Sequence, residues 1–355
     1  YKYSYNYQNW FPSAEFETKN TITNVGLFEL TPFSKFDLKG EKSHDELQRL
    51  STANIKDKIG HTTYTQMLNK DGGIEADLTV VCLEKNHFRI IGPAATREHD
   101  KFHIKKHLSK SFELKDVTED YCCLGLFGPN SRNLISKISD EDYSNKNFKF
   151  GTGKYVNISG VKVWIQRLSY VGELGFELYI DIKMAKKIYN LIIEEGKKHK
   201  LTHCGMHAMD IMRMESGFLH WGHDISPEEN QYEAGLNFAI SFKKNVNFIG
   251  KEALMKIKDT KQTKRFIILS LKESKPGYPL LLHYEPIYLE DKIIGNTTSG
   301  NYSFNFNKNL SYGYINNNLS DKDLANKKLY IEVEKRMYEA KIHHKPLKQN
   351  NYKLI

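Results

Sequence analysis

The chain has 355 residues, of which 39% are hydrophobic and 12% aromatic, so it has enough apolar side chains to build more than one core. Its formal net charge is +9, but the lysines are scattered among aspartates and glutamates instead of forming the basic stripe of a nucleic-acid-binding protein. No apolar run is long enough to span a membrane. Neither nucleic acid nor a membrane is therefore expected as a partner.

Hydrophobic periodicity predicts both helices and strands in the first two thirds of the chain, and the turn at 71–73 indicates an antiparallel meander. Predicted strands lie within 25–38, at 64–68, 74–83, 87–91 and 121–127, in a hairpin at 154–158 and 161–168, and in the run that follows it. Predicted helices lie at 43–50, 98–108, 184–196 and 207–215, and one more begins after an N-cap at Asn130 or Ser131.

The last third of the chain has a different pattern. Short strands are predicted at 266–271, 286–289, 292–299, 310–315 and 329–333. Their spacing indicates a small β-barrel or sandwich. The charge-rich run 256–264 before them is the predicted linker.

The segment from Ser169 to Tyr179 combines two glycines and two carboxylates with aromatic and aliphatic neighbours. Strand alternation places Glu173 and Glu177 on one face with Gly175 between them, where a flat ligand can approach the backbone. A carboxylate at the end of such a slot suits the two adjacent N–H donors of a pterin. The alternative is that both glutamates face solvent.

Asp77 lies inside an otherwise apolar predicted strand, after the turn Asp71-Gly72-Gly73. Burial of a carboxylate is costly and raises its pKa, so Asp77 is a candidate general base or a partner for a cationic intermediate. The alternative is an aspartate that caps the backbone N–H groups of the turn.

Several common motifs are missing from the sequence, including Gly-x-Gly-x-x-Gly, the P-loop, His-Glu-x-x-His and Cys-x-x-Cys. His203, Cys204 and His207, followed by His220 and His223, could supply zinc ligands, but their spacing matches no strong zinc pattern. No metal is therefore predicted. The four cysteines lie in apolar surroundings without a disulfide framework, which indicates a reducing compartment, either the cytoplasm or the mitochondrial matrix.

Motifs along nearly the whole chain resemble the glycine cleavage T-protein (aminomethyltransferase) family. They include the runs 25–30, 64–80, 128–132, 170–177, 247–254 and 294–302. The runs 9–11, 75–79 and 212–224 are most similar to the C-terminal folate-binding half of FAD-dependent dimethylglycine and sarcosine dehydrogenases.

This resemblance implies a three-domain cloverleaf around a central folate channel, with a C-terminal β-barrel. The implied divisions are a remnant of a preceding region at 1–23, a discontinuous folate-binding domain at 24–53 and 137–258, an inserted α+β domain at 54–136, and the barrel at 259–355.

The resemblance also implies roles for single residues. Asp77 matches the catalytic aspartate, Glu177 the glutamate that grips the pterin, and Tyr64 and Tyr170 the aromatic residues of the folate pocket. Four other positions are worth noting. Arg213 and Glu215 resemble a structural ion pair, Met209 replaces a common arginine, and Gln231 replaces a common proline.

The implied reaction is the capture of a methylene unit by tetrahydrofolate to give 5,10-methylenetetrahydrofolate. The one-carbon donor would derive from a methylated amine, and FAD would belong to a missing N-terminal domain or a separate subunit. Two alternatives remain, a non-catalytic regulatory subunit of the same fold and a folate-dependent demethylase.

Overall fold

The computed structural model of the protein describes residues 1–320, 322, 324, 327–349 and 352–354. Its helices are α1 (Phe11–Thr23), α2 (Ser43–Leu50), α3 (Arg97–His107), α4 (Ser131–Ile138), α5 (Ala185–Gly196), α6 (Met206–Glu215) and α7 (Lys251–Lys258). Its strands are β1 (Val25–Glu29), β2 (Ser34–Lys39), β3 (Thr62–Leu68), β4 (Ile74–Glu84), β5 (His87–Gly92), β6 (Leu114–Asp116), β7 (Tyr121–Phe127), β8 (Gly153–Ile158), β9 (Val161–Gln166), β10 (Gly175–Asp181), β11 (Leu201–Cys204), β12 (Lys264–Leu271), β13 (Pro286–Leu289), β14 (Lys292–Ser303), β15 (Lys308–Asn316), β16 (Leu329–Val333) and β17 (Arg336–His343).

The first sheet has six strands in the order β11-β1-β7-β10-β9-β8. Helices α4 and α5 cover one face of it and contribute Leu134, Ile135, Ile188 and Ile192 to its core. In α5 these isoleucines lie four residues apart, and the side of the helix that carries Lys186 and Lys187 is exposed. The helix therefore forms because one apolar stripe can be buried against the sheet.

The second sheet has five strands in the order β3-β4-β5-β2-β6. Strand β4 alternates strictly over its first half. Ala76, Leu78 and Val80 are buried against α2 and α3, whereas Asp77 and Thr79 point to the other face and are half-buried. Asp77 thus lies on the face of the sheet opposite to this core.

The third unit is a closed barrel in the strand order β12-β15-β14-β13-β16-β17, with β17 pairing back to β12. Its interior is filled by aliphatic side chains such as Leu269, Ile287 and Ile331. Closure pairs the edge strands with each other. The barrel predicted from the sequence is confirmed.

Two apolar clusters join the three units. One contains Phe28 and Trp164 of the first sheet together with Val81 of the second. The other contains Ile74 of the second sheet together with Tyr312 of the barrel. In the part of the chain that the structure describes, no helix is long and apolar enough to cross a membrane.

The domain limits drawn from the sequence stay a prediction, but the hydrogen-bonded sheets cross them at two strands. Strand β2, within 24–53, pairs with β5 and β6 of the second sheet. Strand β7, within 54–136, pairs with β1 and β10 of the first sheet. Residues 11–23, which belong to the predicted N-terminal remnant, form α1, and Phe11 is buried against Ile211 and Phe304.

Five elements are absent from the sequence interpretation, namely α1, α7, β6, β11 and β17. Helix α1 buries Phe11, Ala14, Thr18 and Thr21, so half of its inner face is threonine and its hydrophobic periodicity is weak. Strands β6 and β11 have three and four residues, too few to show an alternation. The predicted linker is also shorter than expected, because α7 extends to Lys258.

Candidate active site

Asp77 lies at the centre of a polar cluster between β3 and β4. The strand register places it directly opposite Gln66, whose Nε2 donates a hydrogen bond to Asp77 Oδ1 at 2.6 Å. Burial raises the pKa of Asp77 to about 6, and the nearby Asp100 adds to the rise, while hydrogen bonds from Tyr64 and Gln66 oppose it. Asp77 is therefore a carboxylate close to its titration point near neutral pH, as a general base requires.

Both of the predicted aromatic residues lie near Asp77. The Tyr64 side chain hydrogen bonds to Asp77, and its ring stacks on Phe238 at a centroid distance of 6.3 Å. Tyr170 stacks on Phe218 at 5.8 Å and donates its hydroxyl proton to the Leu219 carbonyl at 2.8 Å. The charge of Asp77 raises the pKa of both tyrosines, after the larger effect of burial. The structure thus brings Tyr64, Asp77 and Tyr170 together.

Glu177 lies on β10 opposite Gln166 of β9. Gln166 Nε2 donates to Glu177 Oε2 at 2.9 Å, and the Tyr179 hydroxyl donates to the same oxygen at 2.8 Å. Burial raises the pKa of Glu177, while these two hydrogen bonds oppose the rise. Within the described residues both bonds end on Oε2, so Oε1 remains as an acceptor for a ligand.

Glu173 does not share the site of Glu177, and the expectation that the two lie on one strand face is wrong. Strand β10 begins at Gly175, so Glu173 precedes it, and its carboxylate forms an ion pair with Lys348. Gly175 has a different role as well. A Cβ there would lie 2.1 Å from Phe127 Cδ1, so the missing side chain makes room for this ring and not for a flat ligand.

Glu177 is linked to the Asp77 cluster through packing. Its partner Tyr179 belongs to the same apolar cluster as Val81 of β4, and Tyr170 packs against that cluster.

Two surface cavities of about 600 and 520 Å³ are lined by other residues, around Phe16 and Tyr189 respectively. Neither is lined by Tyr64, Asp77, Tyr170 or Glu177.

Arg213 has a structural role, as expected, but the predicted ion pair between Arg213 and Glu215 is wrong. The guanidinium donates to Asp210 Oδ1 at 2.7 Å and to Asp224 Oδ2 at 2.6 Å. Glu215 instead accepts from the Ser303 hydroxyl at 2.5 Å. Residues two apart on a helix point in different directions, which separates Arg213 from Glu215. Met209 is buried in the cluster between the sheets.

The histidines that could have supplied zinc ligands have other contacts. His203 hydrogen bonds to the Tyr189 hydroxyl at 2.9 Å, and His207 stacks on Trp10 at 4.8 Å. Among the described residues, no group of three His, Cys, Asp or Glu side chains could hold a metal ion. All four cysteines are free thiols.

Sequence reasoning missed the side chains that hold the two site carboxylates, namely Gln66, Gln166 and Tyr179. The signal for the two glutamines is the register of the hairpins. Counted back from the turn at residues 71–73, Gln66 stands opposite Asp77, and the pairing of β9 with β10 sets Gln166 opposite Glu177. Phe238 was missed too, because it lies in a 3₁₀ helix of three residues, Asn237–Ala239, which is too short to show a periodicity.

Comparison with known proteins matches both parts of the chain to family models. Residues 1–244 match the GCVT N-terminal domain, and residues 264–348 match the glycine cleavage T-protein C-terminal barrel domain. The solved structure of glycine cleavage system aminomethyltransferase T from Bartonella henselae superposes with a TM-score of 0.83 at 20% identity, covering 96% of this chain and 90% of that one. The fold expected from the resemblance is confirmed.

Longer relatives are also similar to the chain. It is 34% identical over 347 residues to 4-methylaminobutanoate oxidase (formaldehyde-forming) of Paenarthrobacter nicotinovorans, covering 98% of this chain and 41% of that protein. It is 32% identical over 350 residues to mitochondrial dimethylglycine dehydrogenase of Mus musculus, covering 98% and 40% respectively. The chain spans about two fifths of the length of these relatives, and their similarity confirms the expected link to the dehydrogenases. On these grounds, the chain belongs to the glycine cleavage T-protein family.

Proposed function

We propose that the protein binds tetrahydrofolate and transfers a one-carbon unit to it at the methylene level, giving 5,10-methylenetetrahydrofolate. The observation that carries the proposal is Asp77, a half-buried carboxylate whose pKa is raised to about 6. At pH 7 such a group is mostly ionised and still basic enough to accept a proton. A carboxylate that merely capped a turn would face the N–H groups of residues 71–73, whereas Asp77 faces Tyr64 and Gln66.

The residues present fit a reduced folate. Glu177 offers Oε1 as an acceptor while Oε2 is held by two donors, which suits the paired N–H donors of an amino-pyrimidine edge. Tyr64 and Tyr170 supply aromatic faces near Asp77. In this assignment Glu177, Tyr64, Tyr170 and Asp77 hold the folate.

Tetrahydrofolate would supply the amine nitrogens that accept the one-carbon unit. Asp77 then has two tasks, to stabilise the positive charge of the incoming unit and to accept the proton that the amine loses. Tyr64 and Gln66 keep the carboxylate oriented, since both hydrogen bond to it. Orientation matters because a well-placed base lowers the barrier more than a mobile one.

We further propose that the one-carbon donor derives from a methylated amine and that an FAD domain or subunit produces it. Support comes from the names of the longer relatives, which are an oxidase and a dehydrogenase of methylated amines. Oxidation of an N-methyl group by flavin leaves an iminium, which is the electrophile that this site would receive.

The test is a coupled assay in which a flavoenzyme that oxidises dimethylglycine supplies the electrophile. A formaldehyde trap suppresses the uncatalysed condensation with tetrahydrofolate. For Asp77→Asn we expect methylene transfer to fall by about 10²-fold or more, with folate affinity within about one order of magnitude of wild type. Chromatographic analysis of the folate products measures transfer, and calorimetry measures binding.

The matched control is Glu75→Gln, which removes a carboxylate two residues earlier on the same strand, where Glu75 faces His99 at 3.3 Å. This variant should transfer like wild type. Unchanged transfer in Asp77→Asn would contradict the proposal. A methyltetrahydrofolate product would favour a folate-dependent demethylase, and folate binding without any product would favour a regulatory subunit.

A further inference from the structure

We propose that Gln231 is a positioning residue that acts through Gln66 to hold Asp77 as an ionised hydrogen-bond acceptor. The link from Asp77 to transfer rests on the proposed function. The link from Gln231 to Asp77 rests on geometry alone.

Gln231 lies in the segment between α6 and α7 and is completely buried, as are Gln66 and Thr52. Its Nε2 donates to Gln66 Oε1 at 2.6 Å and to Thr52 Oγ1 at 3.1 Å. Gln66 Nε2 then donates to Asp77 Oδ1 at 2.6 Å. The two amides and the carboxylate form one continuous line of hydrogen bonds.

The direction of donation along this line of hydrogen bonds determines which end of the Gln66 amide faces Asp77. An amide has donors at one end and acceptors at the other. Because Gln231 presents N–H groups to Gln66, the oxygen of Gln66 must face Gln231 and its NH₂ must face Asp77. A donor aimed at a carboxylate favours the charged form and opposes the effect of burial.

The orientation of Gln231 that makes these two bonds leaves one of its own polar atoms unpaired. Its Oε1 is buried and has no hydrogen-bond partner among the described residues. An unpaired buried acceptor is unfavourable, and an apolar side chain of similar size would avoid it. The polarity of the amide toward Gln66 is therefore the feature that distinguishes Gln231 from a packing residue.

The segment that carries Gln231 is fixed to the strand that carries Asp77. The Ile74 N–H at the start of β4 donates to the Glu229 carbonyl at 3.0 Å, and the Leu236 N–H donates to the Gln231 carbonyl at 2.8 Å. Gln231 thus reaches Gln66 from a rigid support.

Three other titratable groups act on Asp77, from β3, α3 and the segment before β10. Tyr64 on β3 donates to it, Asp100 on α3 adds a negative charge, and Tyr170 before β10 lies within electrostatic range. These groups are unchanged in variants of Gln231. A change in the titration of Asp77 in such a variant therefore reports on the Gln66 amide.

The first experiment measures the pKa of Asp77 directly, by NMR of ¹³C-carboxyl-labelled aspartate in the folate-free protein, with the resonance assigned from Asp77→Asn. In Gln231→Met the Gln66 oxygen loses its donor, and within the part of the chain that the structure describes the amide is held only by the bonds of its side chain to Asp77 and Tyr64. We expect the pKa of Asp77 to rise by about one unit. Gln231→Glu, once its carboxyl group is ionised, offers Gln66 only acceptors and should raise the pKa of Asp77 further. If Gln231→Met does not fold, the same pKa measurement on Gln231→Glu tests the inference.

The second experiment is a pH profile of methylene transfer. With a rise of one unit from about 6, the rate of Gln231→Met should be about fivefold below wild type at pH 6 and nearly equal to it at pH 8. Asn230→Leu is the control, because Asn230 stabilises the same segment through its bond to Gln262 and does not touch Gln66. A purely structural defect would lower the rate equally at both pH values.

A double-mutant cycle tests whether the effect passes through Gln66. In a Gln66→Met background, Gln231→Met should cause no further shift in the pKa of Asp77. An unchanged pKa in Gln231→Met, or a shift that persists without Gln66, would overturn the inference. A shifted pKa in a protein that never transfers a one-carbon unit would instead refute the proposed function and leave the inference intact.

Discussion

At the scale of single residues, the two site carboxylates are held in the same way. Each accepts from a glutamine on the neighbouring strand, and the oxygen of that glutamine is in turn fixed by a donor. For Glu177 the donor behind Gln166 is the indole N–H of Trp164, at 3.3 Å. A side chain with a fixed acceptor direction binds a ligand at a lower entropic cost than one that must first be ordered.

Removal of the Glu177 charge should weaken folate binding. For Glu177→Gln we expect a loss of about 2 kcal/mol, the size of a charge-assisted hydrogen bond, which is about a thirtyfold higher Kd. Calorimetry with reduced folate measures it. Asp181→Asn is the control, since Asp181 ends the same strand and caps Lys183 at the surface. Wild-type affinity in Glu177→Gln would remove Glu177 from the pterin site.

Asp77 should reduce the stability of the protein at neutral pH. Its pKa in the folded state, about 6, is above the ordinary 3.8, so the folded protein binds more protons than the unfolded chain between these values. The contribution of this group to stability is present below about pH 4 and is lost as the pH rises through about 6.

The variant Asp77→Asn does not titrate at this position. Relative to wild type, we expect this variant to gain about 2 kcal/mol of stability between pH 4 and pH 7.5, after allowance for the partial exposure of the group. Urea unfolding at both pH values measures the difference. A constant difference between the two proteins would show that the carboxyl titrates normally.

At the scale of elements, much of the fold follows from local patterns. The turn at Ser159-Gly160 has positive φ angles of 48° and 82°, the geometry that joins two antiparallel strands in a tight hairpin, and the sequence predicts it. Helix α5 is predicted because its apolar residues recur over more than two helical turns. Strand β4 is predicted because apolar and polar residues alternate over several pairs of positions.

What the sequence could not predict depends on partners distant in the chain. Glu173 and Glu177 look equivalent in the sequence, but only the position of Lys348 decides that Glu173 is an ion-pair residue. From the sequence, the missing side chain of Gly175 suggests space for a ligand, but the ring of Phe127 on the adjacent strand occupies that space. Asp77, by contrast, was identifiable because an acidic residue in an apolar strand is unusual in itself.

Arg213 of α6 should be essential for the junction between this helix and the barrel. Besides Asp210 and Asp224 it donates to Ser299 on β14 at 2.8 Å, and burial leaves no water to replace it. We expect Arg213→Met to lower the free energy of unfolding by about 3–5 kcal/mol, because Asp224 would remain buried without its counter-charge.

Chemical denaturation measures this loss, and Arg97→Met is the matched control. Arg97 also pairs with two carboxylates, but its side chain is 29% exposed and one partner, Glu119, is 82% exposed, so we expect a change below about 1 kcal/mol. The double variant Arg213→Met with Asp224→Leu should recover part of the lost stability. Equal effects of the two arginine variants would contradict the structural role of Arg213.

At the scale of the whole molecule, the two clusters that join the three units determine how the protein unfolds. Val81 of the second sheet lies in the same core as Trp164 of the first, and Tyr312 of the barrel lies in the same core as Ile74. The loss of one unit would therefore expose a core that this unit shares with its neighbour. Chains of this length often unfold in steps, but here each unit buries apolar surface of another.

We therefore expect one cooperative unfolding transition, and the tryptophans can test it. Trp164 lies in the cluster between the two sheets, whereas Trp221 packs on the cluster with the barrel and donates its indole N–H to the Ile74 carbonyl at 2.9 Å. In a Trp10→Phe background, variants that retain only Trp164 or only Trp221 should give urea midpoints that coincide, each within error of the circular dichroism transition of the same variant. Arg213→Met, which weakens the barrel junction, should then shift both fluorescence transitions by the same amount. Separate midpoints, or a shift seen only by Trp221, would show that the barrel unfolds independently of the two sheets.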